Sequence, residues 1–272
     1  MYALKKREEW TFKMNHLSIP SKKCGLPIKE ALKLEPDLKR YIIRDNQIDL
    51  GNTEALLLYN RTILRDFLSL DFTLPTGFLV PTICSRWSFV KWVLTRIQPK
   101  IVLEIGTGAS AILALILARI GCQVEATEVN KVAFKSAYNN ISLNGLKYKV
   151  KLIKTEKKRI IRCLYTSLEK FDAIICNPPQ YNKKFYDQLY SSDRGFVGQE
   201  SELVGGQNGH EFIIQLINEI DSYDSSVSCF FQITFPQITP LIRCYFQDNQ
   251  YSFTEKTITL GTRQRQYYQV DF

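Results

Sequence analysis

The segment FDAIICNPPQY (residues 171–181) places an amide side chain at the end of an apolar run and follows it with two prolines. Pro178 forces Asn177 toward extended geometry and fixes its own φ angle. The side-chain carbonyl of Asn177 and the backbone carbonyl of Pro178 can then converge on one point as hydrogen-bond acceptors. Two acceptors suit an NH2 group with a delocalised lone pair, because they favour a pyramidal nitrogen that can attack an electrophilic methyl group. The alternative is a strand end that proline merely stiffens.

A glycine turn and an acidic residue indicate where a cofactor would bind. Gly106 and Gly108 follow the apolar run IVLEI, and glycines there would let a ligand lie against the backbone at the start of a helix. Glu128 closes the next predicted strand, 22 residues after Gly106, where a carboxylate can accept hydrogen bonds from both ribose hydroxyls of a nucleoside. A nicotinamide dinucleotide and S-adenosylmethionine both fit this spacing. Asn177 favours S-adenosylmethionine, because hydride transfer has no use for paired acceptors.

The elements that must position these residues alternate between strand and helix, which predicts βαβ units and a mostly parallel sheet of the α/β class. The predicted strands are IVLEI, QVEATEV, YKVKLIK, FDAIICN and SVSCFFQIT, with FTEKTITLG and RQYYQVDF as a terminal pair. The predicted helices are ASAILALILARIG, NKVAFKSAYNNISLNGL, KKRIIRCLYTSL and GHEFIIQLINEI. Asn130 is the expected N-cap of the second helix, and Gly121 the expected C-cap of the first. Residues 180–208 are predicted to form a polar loop.

Before residue 76 this alternation is absent. The segments EALKLEPDLKRYI and NTEALLLYNRTILRDFL predict short helices instead. We therefore expect a small, mainly helical N-terminal extension over residues 1–75 and a Rossmann-like catalytic domain over residues 76–272.

Composition restricts the class of protein. The chain is 45% hydrophobic and 23% charged, which is typical of a globular protein, and it has no apolar run long enough to span a membrane. Its seven cysteines are scattered without a C-x-x-C pair, which argues against a zinc site or a disulfide framework. The expectation is a cytoplasmic monomer without metal.

Positive charge is concentrated in two segments. Residues 147–162 contain eight basic residues and one acidic residue, and residues 1–50 contain eleven basic and seven acidic residues. The net charge of the whole chain is +9. Such concentration predicts an anionic partner, with RNA as the first candidate, although solvated basic faces are the alternative.

Several segments resemble a known family. EIGTGAS, ATEVN and CNPP are similar to the class I amino-methyltransferases that have an Asn-Pro-Pro-aromatic motif. Together with EPDLKRYI, LVPTICSRWSFVKWV, GGQNGHEFI and GTRQRQYYQVDF, they follow the order of the adenine-N6 RNA methyltransferase family, which includes methyltransferase-like protein 16 and its bacterial ribosomal-RNA counterpart. The resemblance runs from about residue 28 to residue 272. It implies a class I methyltransferase sheet, S-adenosylmethionine as cofactor and an adenosine N6 amine as target.

The resemblance also implies roles for individual residues. Arg86 would contact the cofactor carboxylate, Gly106 would lie under the methionine portion, and Glu128 would hold the ribose. Thr155 would touch the adenine of the cofactor, and Asn177 would hold the target amine. The implied cofactor-binding set is Arg86, Glu104, Gly106, Thr107, Gly108, Glu128, Thr155 and Asn177. The implied catalytic set is Asn177, Pro178, Pro179, Gln180 and Tyr181. The basic segments would bind RNA phosphates.

One position departs from the family pattern. The family has an aromatic residue directly after the second proline, where it stacks on the flipped base, and this chain has Gln180. Gln180 could hold a base edge while Tyr181 or Phe185 supplies the stack. The departure leaves open a guanine-N2 RNA methyltransferase, a glutamine-N5 protein methyltransferase and a non-catalytic RNA-binding factor. His210 is interpreted as a helix-start residue, and His16 carries no signal.

Overall fold

The structure, a computed structural model, describes residues 25–43, 47–156, 160–162, 164–190 and 198–272. The described strands are β1 (Ile42–Ile43), β2 (Gln47–Ile48), β3 (Ile101–Ile105), β4 (Gln123–Glu128), β5 (Val150–Lys154), β6 (Ala173–Cys176), β7 (Tyr181–Asn182), β8 (Val204–Gly206), β9 (Ser228–Ile233), β10 (Ser252–Leu260) and β11 (Arg263–Asp271). The described α-helices are α1 (Ile28–Leu34), α2 (Thr53–Leu68), α3 (Ile83–Arg96), α4 (Ile112–Arg119), α5 (Lys131–Leu143), α6 (Lys183–Tyr190), α7 (Glu200–Leu203), α8 (Glu211–Asp221) and α9 (Thr239–Asp248).

A seven-stranded sheet with the order β10-β11-β9-β6-β3-β4-β5 forms the centre of the fold. The five strands from β9 to β5 in this order are parallel to one another, and the pair β11 and β10 is antiparallel. This confirms the predicted Rossmann-like sheet with an antiparallel terminal strand. The chain runs from β3 to β4 and β5 on one side and then returns to place β6 on the other side of β3. Ligands of such sheets bind at the carboxyl ends of the strands beside this switch in order.

Local sequence explains how the sheet is flanked. The Asn130 side chain accepts hydrogen bonds from the backbone N–H groups of Val132 and Ala133, at 2.8 and 3.1 Å, and so caps α5 as predicted. Gly121 follows the end of α4 with φ +117°, a conformation that favours glycine at a helix end. All four residues of β6 are buried, which matches the uninterrupted apolar run before Asn177.

The N-terminal helices pack on the sheet through a shared hydrophobic core. Leu38, Ile63 and Phe72 are buried in the same cluster as Val102 on β3 and Phe230 on β9. The predicted helical character is confirmed for the described residues 25–43 and 47–75, since α1, a 3-10 helix (Pro36–Tyr41) and α2 cover more than half of them. The division of the chain at residue 75 stays a prediction.

The predicted helix KKRIIRCLYTSL is wrong where the structure describes it, because residues 160–162 and 164–168 form bends and turns. The backbone N–H groups of Ile160, Ile161 and Arg162 donate to Oε2 of Glu219 on α8, at 3.0, 2.8 and 2.9 Å. A carboxylate partner for three successive amides satisfies this backbone without a helix. Residues 157–159 and 163 lie outside the described residues.

The predicted polar loop over residues 180–208 is also wrong as a description, because β7, α6, α7 and β8 lie within it. Helix α9 was not predicted. Two glycines of this region are explained by close backbone contact. A Cβ atom at Gly205 would lie 2.5 Å from the carbonyl oxygen of Pro179, and one at Gly209 would lie 2.4 Å from that of Gln180. The segment around β8 therefore packs directly against the residues that follow Asn177.

Within the described part of the chain, every helix is too short or too polar to cross a membrane.

Candidate active site

A cavity of about 680 Å³ opens at the carboxyl ends of β3, β4 and β6. Its volume lies in the range of small-molecule and cofactor sites. All eight predicted cofactor-binding residues line it, namely Arg86, Glu104, Gly106, Thr107, Gly108, Glu128, Thr155 and Asn177. Pro179 lines it as well. The sheet thus brings together residues that are up to 91 positions apart in the sequence, from Arg86 to Asn177.

The glycine turn after β3 is held in place by its neighbour β4. The backbone N–H of Thr107 donates to the Thr127 carbonyl at 2.9 Å, and that of Gly106 donates to Thr127 Oγ1 at 3.1 Å. Gly106 and Gly108 both have φ +68°, which disfavours any residue with a side chain. A Cβ atom at either glycine would meet no atom within 4 Å. The open space beside both glycines is therefore available to a ligand that lies against the backbone.

Glu128 ends β4 at the opposite side of this turn. Its carboxylate accepts the backbone N–H of Gly108 at 2.9 Å through Oε2 and that of Asn130 at 2.7 Å through Oε1. Each oxygen keeps a second lone pair that can accept from a hydroxyl group. Glu128 is buried, and burial raises the pKa of its carboxyl group, partly opposed by these backbone hydrogen bonds. The geometry suits a carboxylate that binds two neighbouring hydroxyls, as a ribose presents them.

The cavity wall contains two buried ionisable side chains, the carboxyl group of Glu104 and the guanidinium of Arg86. Burial raises the pKa of Glu104 to about 7, and the hydroxyl of Thr107 donates to Glu104 Oε2 at 2.8 Å. Burial, together with the nearby Arg265, lowers the pKa of Arg86 to about 10. Within the described chain, no residue accepts a hydrogen bond from the Arg86 guanidinium. A buried guanidinium without an acceptor among the described residues favours an anionic ligand such as a carboxylate.

Asn177 stands between the main cavity and a smaller one of about 130 Å³. Arg86 and Asn177 line both cavities, whereas Pro178, Gln180 and Tyr181 line the smaller one. The predicted catalytic residues are therefore together at one wall, next to the predicted cofactor site. Tyr181 is half-buried, and its ring packs edge-on against Phe185 and Phe235, with centroids 5.0 and 5.1 Å away.

The prediction that Gln180 could hold a base edge is wrong, because protein groups fill the hydrogen-bonding capacity of its amide. Nε2 donates to the carbonyl oxygens of Pro178 and Gln232, at 3.1 and 2.8 Å. Oε1 accepts the backbone N–H groups of Thr234 and Phe235, at 2.6 and 3.1 Å. An amide has two N–H donors and two acceptor lone pairs, so none is left for a nucleobase.

Sequence reasoning missed three residues of this site. Glu202 lines both cavities, and its carboxylate accepts the backbone N–H groups of Leu79 and Gln199 at 3.0 Å each. Arg265 lines the smaller cavity, and Gln232 donates from Nε2 to Asn177 Oδ1 at 2.7 Å. The signal for Gln232 was a lone amide in the apolar run CFFQI. Arg265 lies within the family-like segment GTRQRQYYQVDF, and no sequence signal marked Glu202.

Comparison with known proteins decides among the enzyme classes that such a cavity could serve. The family model described as RNA methyltransferase matches residues 25–236. The chain belongs to this RNA methyltransferase family. The match includes the glycine turn, Glu128 and the Asn177–Pro179 segment, so the family assignment covers the residues that build the cavity.

Curated relatives of this RNA methyltransferase match it over different shares of its length. It is 27% identical over 267 residues to ribosomal RNA large subunit methyltransferase F of Klebsiella pneumoniae, a match that spans 85% of this chain and 86% of the relative. It is 27% identical over 153 residues to the U6 small nuclear RNA (adenine-(43)-N(6))-methyltransferase of Schizosaccharomyces pombe, which spans 51% of this chain and 39% of the relative.

Solved structures share the fold. The catalytic domain of human METTL16 in complex with a MAT2A 3′UTR hairpin superimposes with a TM-score of 0.78 at 22% identity, over 90% of this chain and 91% of that one. The N-terminal domain of human METTL16 in complex with SAH superimposes with a TM-score of 0.74 at 20% identity, over 90% and 94% of the two chains. These superpositions show that the chain has a methyltransferase fold.

The cofactor of this RNA methyltransferase is S-adenosylmethionine, and the cavity fits it. The open space at Gly106 and Gly108 lets the cofactor lie against the protein backbone, and Glu128 provides acceptors for two hydroxyls. Arg86 offers a guanidinium for a carboxylate. Across the residues that the structure describes, no group of three or more His, Cys, Asp or Glu side chains could hold a metal ion.

Proposed function

We propose that the protein transfers a methyl group to the exocyclic N6 amine of an adenosine in a structured RNA. The observation that carries this proposal is the position of Asn177, which lines both the cofactor cavity and the smaller cavity beside it. An acceptor side chain on that shared wall can hold an amine in the smaller cavity while it faces the larger one. The adenine-N6 activity named for the fission yeast relative supports the choice of base.

S-adenosylmethionine supplies the electrophilic methyl group when it is bound. Asn177 Oδ1 and the Pro178 carbonyl would accept the two hydrogens of the target amine and favour its pyramidal form. The effect of both acceptors grows as the nitrogen becomes pyramidal, so they stabilise the transition state more than bound substrate. Glu128 and Arg86 would hold the cofactor by its ribose and carboxylate, which fixes the distance across which the group is transferred.

RNA would be held outside these cavities by basic residues. Lys147, Lys151 and Lys154 are exposed on and before β5, and Tyr148 beside Lys147 in the sequence is exposed as well. A phosphate backbone is attracted by clustered lysines, and an exposed ring can stack on an unpaired base. Residues 25–43 and 47–75 together carry six basic and seven acidic residues, so they add no net positive charge. The most basic part of the N-terminal extension lies outside the described residues.

The decisive experiment is mass spectrometry of nucleosides from RNA that has been incubated with the purified protein and isotope-labelled S-adenosylmethionine. Labelled N6-methyladenosine is the expected product. Labelled N2-methylguanosine would instead assign the guanine-N2 reaction. Label in glutamine side chains of an added protein mixture, with unlabelled RNA, would identify a protein methyltransferase, and RNA binding without any labelled product would indicate a non-catalytic factor.

A further inference from the structure

Two glutamines donate hydrogen bonds to the proposed acceptors of Asn177 and Pro178, the two residues that follow β6. Gln232, on β9, is completely buried and donates from Nε2 to Asn177 Oδ1 at 2.7 Å. Gln180, which is 4% exposed, donates from Nε2 to the Pro178 carbonyl at 3.1 Å and to the Gln232 carbonyl at 2.8 Å. The four residues therefore form one continuous hydrogen-bonded chain, in which each proposed acceptor for the target amine receives one amide N–H.

This arrangement removes freedom that the Asn177 side chain would otherwise have. The torsion that turns an asparagine amide has broad, roughly two-fold preferences, so the side chain alone does not fix the direction of its oxygen. The hydrogen bond from Gln232 fixes it. One lone pair of Oδ1 accepts from Gln232, and the other remains for a second donor. The Pro178 carbonyl likewise accepts from Gln180 through one lone pair and keeps the other for a second donor.

Gln232 is an unfavourable residue for stability alone. Its Oε1 atom is buried without a hydrogen-bond partner among the residues that the structure describes. A buried acceptor without a partner costs about 1–3 kcal/mol. Phe230, two residues earlier on the same face of β9, and Tyr267, the residue paired with Gln232 on β11, are both buried, so a methionine would fit the same surroundings without that penalty. A reason other than stability is required for an amide at this position.

We infer that Gln232 and Gln180 are positioning residues for methyl transfer, which orient the Asn177 and Pro178 acceptors toward the target amine. This inference rests on the proposed function. It also gives a physical account of the departure after the second proline: Gln180 turns its amide into the protein and fixes an acceptor, which an aromatic residue at that position could not do. Displacement of catalytic groups by about 1 Å can lower the rate on the order of a hundredfold.

The test compares two buried glutamines on neighbouring strands. Gln232→Met removes the donor to Asn177, and the expected result is a fall in kcat of at least tenfold. The melting temperature should be unchanged or higher, and the dissociation constants of S-adenosylmethionine and RNA should change less than threefold. Gln269→Met on β11 is the matched control, because the Gln269 amide binds Arg96 and Asp271 instead of Asn177. It should lower the melting temperature and leave kcat unchanged.

A second variant distinguishes orientation from packing. Gln232→Glu replaces the amide by a carboxyl group that burial keeps protonated at low pH, and the protonated form can donate an O–H to Asn177. Its kcat relative to that of the native enzyme should rise as the pH falls from about 8.5 to about 6. A pH-independent ratio, or native kcat in Gln232→Met, would overturn the inference while the native enzyme still methylates RNA. Failure of the native enzyme to methylate any RNA would overturn the proposed function, and the inference with it.

Discussion

The carboxylate of Glu128 and the backbone N–H of Gly108 are joined by a hydrogen bond of 2.9 Å. The end of β4 is thereby fixed to the glycine turn after β3, and the two features that the sequence singled out for a cofactor form one unit. The second carboxylate oxygen binds the backbone N–H of Asn130 at the start of α5. A change at Glu128 therefore affects both the hydroxyl-binding acceptors and the shape of the turn.

Glu128→Ala should weaken S-adenosylmethionine binding at least tenfold. A hydrogen bond to a charged acceptor contributes about 1.5–3 kcal/mol, and Glu128 offers two. Titration calorimetry measures the change. Glu125→Ala is the matched control on the same strand, because the Glu125 carboxylate binds Lys170 and Tyr165. Unchanged affinity in a folded Glu128→Ala protein would contradict the ribose assignment.

Cofactor binding should tighten as the pH rises from about 6 to about 8. Burial raises the pKa of Glu104 to about 7. The positive charges of S-adenosylmethionine favour the ionised carboxylate, so binding should lower this pKa and release a proton. Calorimetry in two buffers with different ionisation enthalpies detects the proton. Glu104→Gln should abolish both the release and the pH dependence, and a native enzyme that releases no proton would contradict the prediction.

The same group makes the stability of the cofactor-free protein depend on pH. Because the folded-state pKa of about 7 lies above the ordinary value of 4.5, the folded protein binds more protons than the unfolded chain between these values. The contribution of Glu104 to the free energy of unfolding therefore falls as the pH rises from about 4.5 to about 7. Urea unfolding across this range should show a weaker decline for Glu104→Gln than for the native protein. Parallel curves for the two proteins would show that Glu104 titrates normally.

Asn177→Ala should lower turnover about a hundredfold or more, by analogy with the loss of one preorganised polar partner. Cofactor affinity should change little, because Glu128 and the glycine turn are intact. Asn177→Asp keeps an acceptor oxygen and should lose less. Single-turnover kinetics with labelled cofactor measure both variants. Normal turnover in Asn177→Ala would exclude the proposed mechanism.

Gln180→Phe, which introduces the family's aromatic residue, should destabilise this protein. The half-buried backbone N–H of Thr234 and the buried one of Phe235 would lose their acceptor, and a buried unpaired group costs about 1–3 kcal/mol. Urea unfolding should therefore show a free energy of unfolding lower by about 2 kcal/mol or more. Native stability together with raised turnover would indicate that the aromatic residue is accommodated by a rearranged loop.

RNA affinity should decrease steeply with salt, by about 0.7 log units per log unit of salt for each phosphate contact on a single strand. The double variant Lys147→Glu/Lys151→Glu should weaken binding and flatten this slope. Lys100→Glu/Lys256→Glu changes the same charge elsewhere, at the amino end of β3 and on β10, and should have a small effect. Equal losses in both double variants would show a general charge effect without a binding surface.

The parts of the site that were predictable depend on local sequence. A glycine turn after an apolar run, an acid at the end of the next strand and an amide before two prolines each mark the carboxyl end of a parallel strand. The sheet then brings these ends together, as observed for Gly106, Glu128 and Asn177. The mostly parallel arrangement of the strands followed from the alternation of elements in the same way.

The parts that were not predictable depend on partners far away in the sequence. The N–H groups of Ile160–Arg162 bind a carboxylate at Glu219, and no local pattern distinguishes that outcome from a helix. Gln180 turns inward because Thr234 and Phe235 lie 54 and 55 residues away in sequence and directly beside it in space. A residue's type was visible in the sequence, but the direction of its side chain was not.

Strand β5 is an edge strand of the described sheet, and this has a consequence for self-association. In the described sheet it pairs with β4 alone, so its other side has no strand partner among the described residues. Such an edge can recruit a strand from a second molecule, and lysines discourage that recruitment by charge repulsion. Lys151 and Lys154 stand on this strand. Replacing them by alanine should promote aggregation on concentration or storage, whereas glutamate would keep the molecules apart.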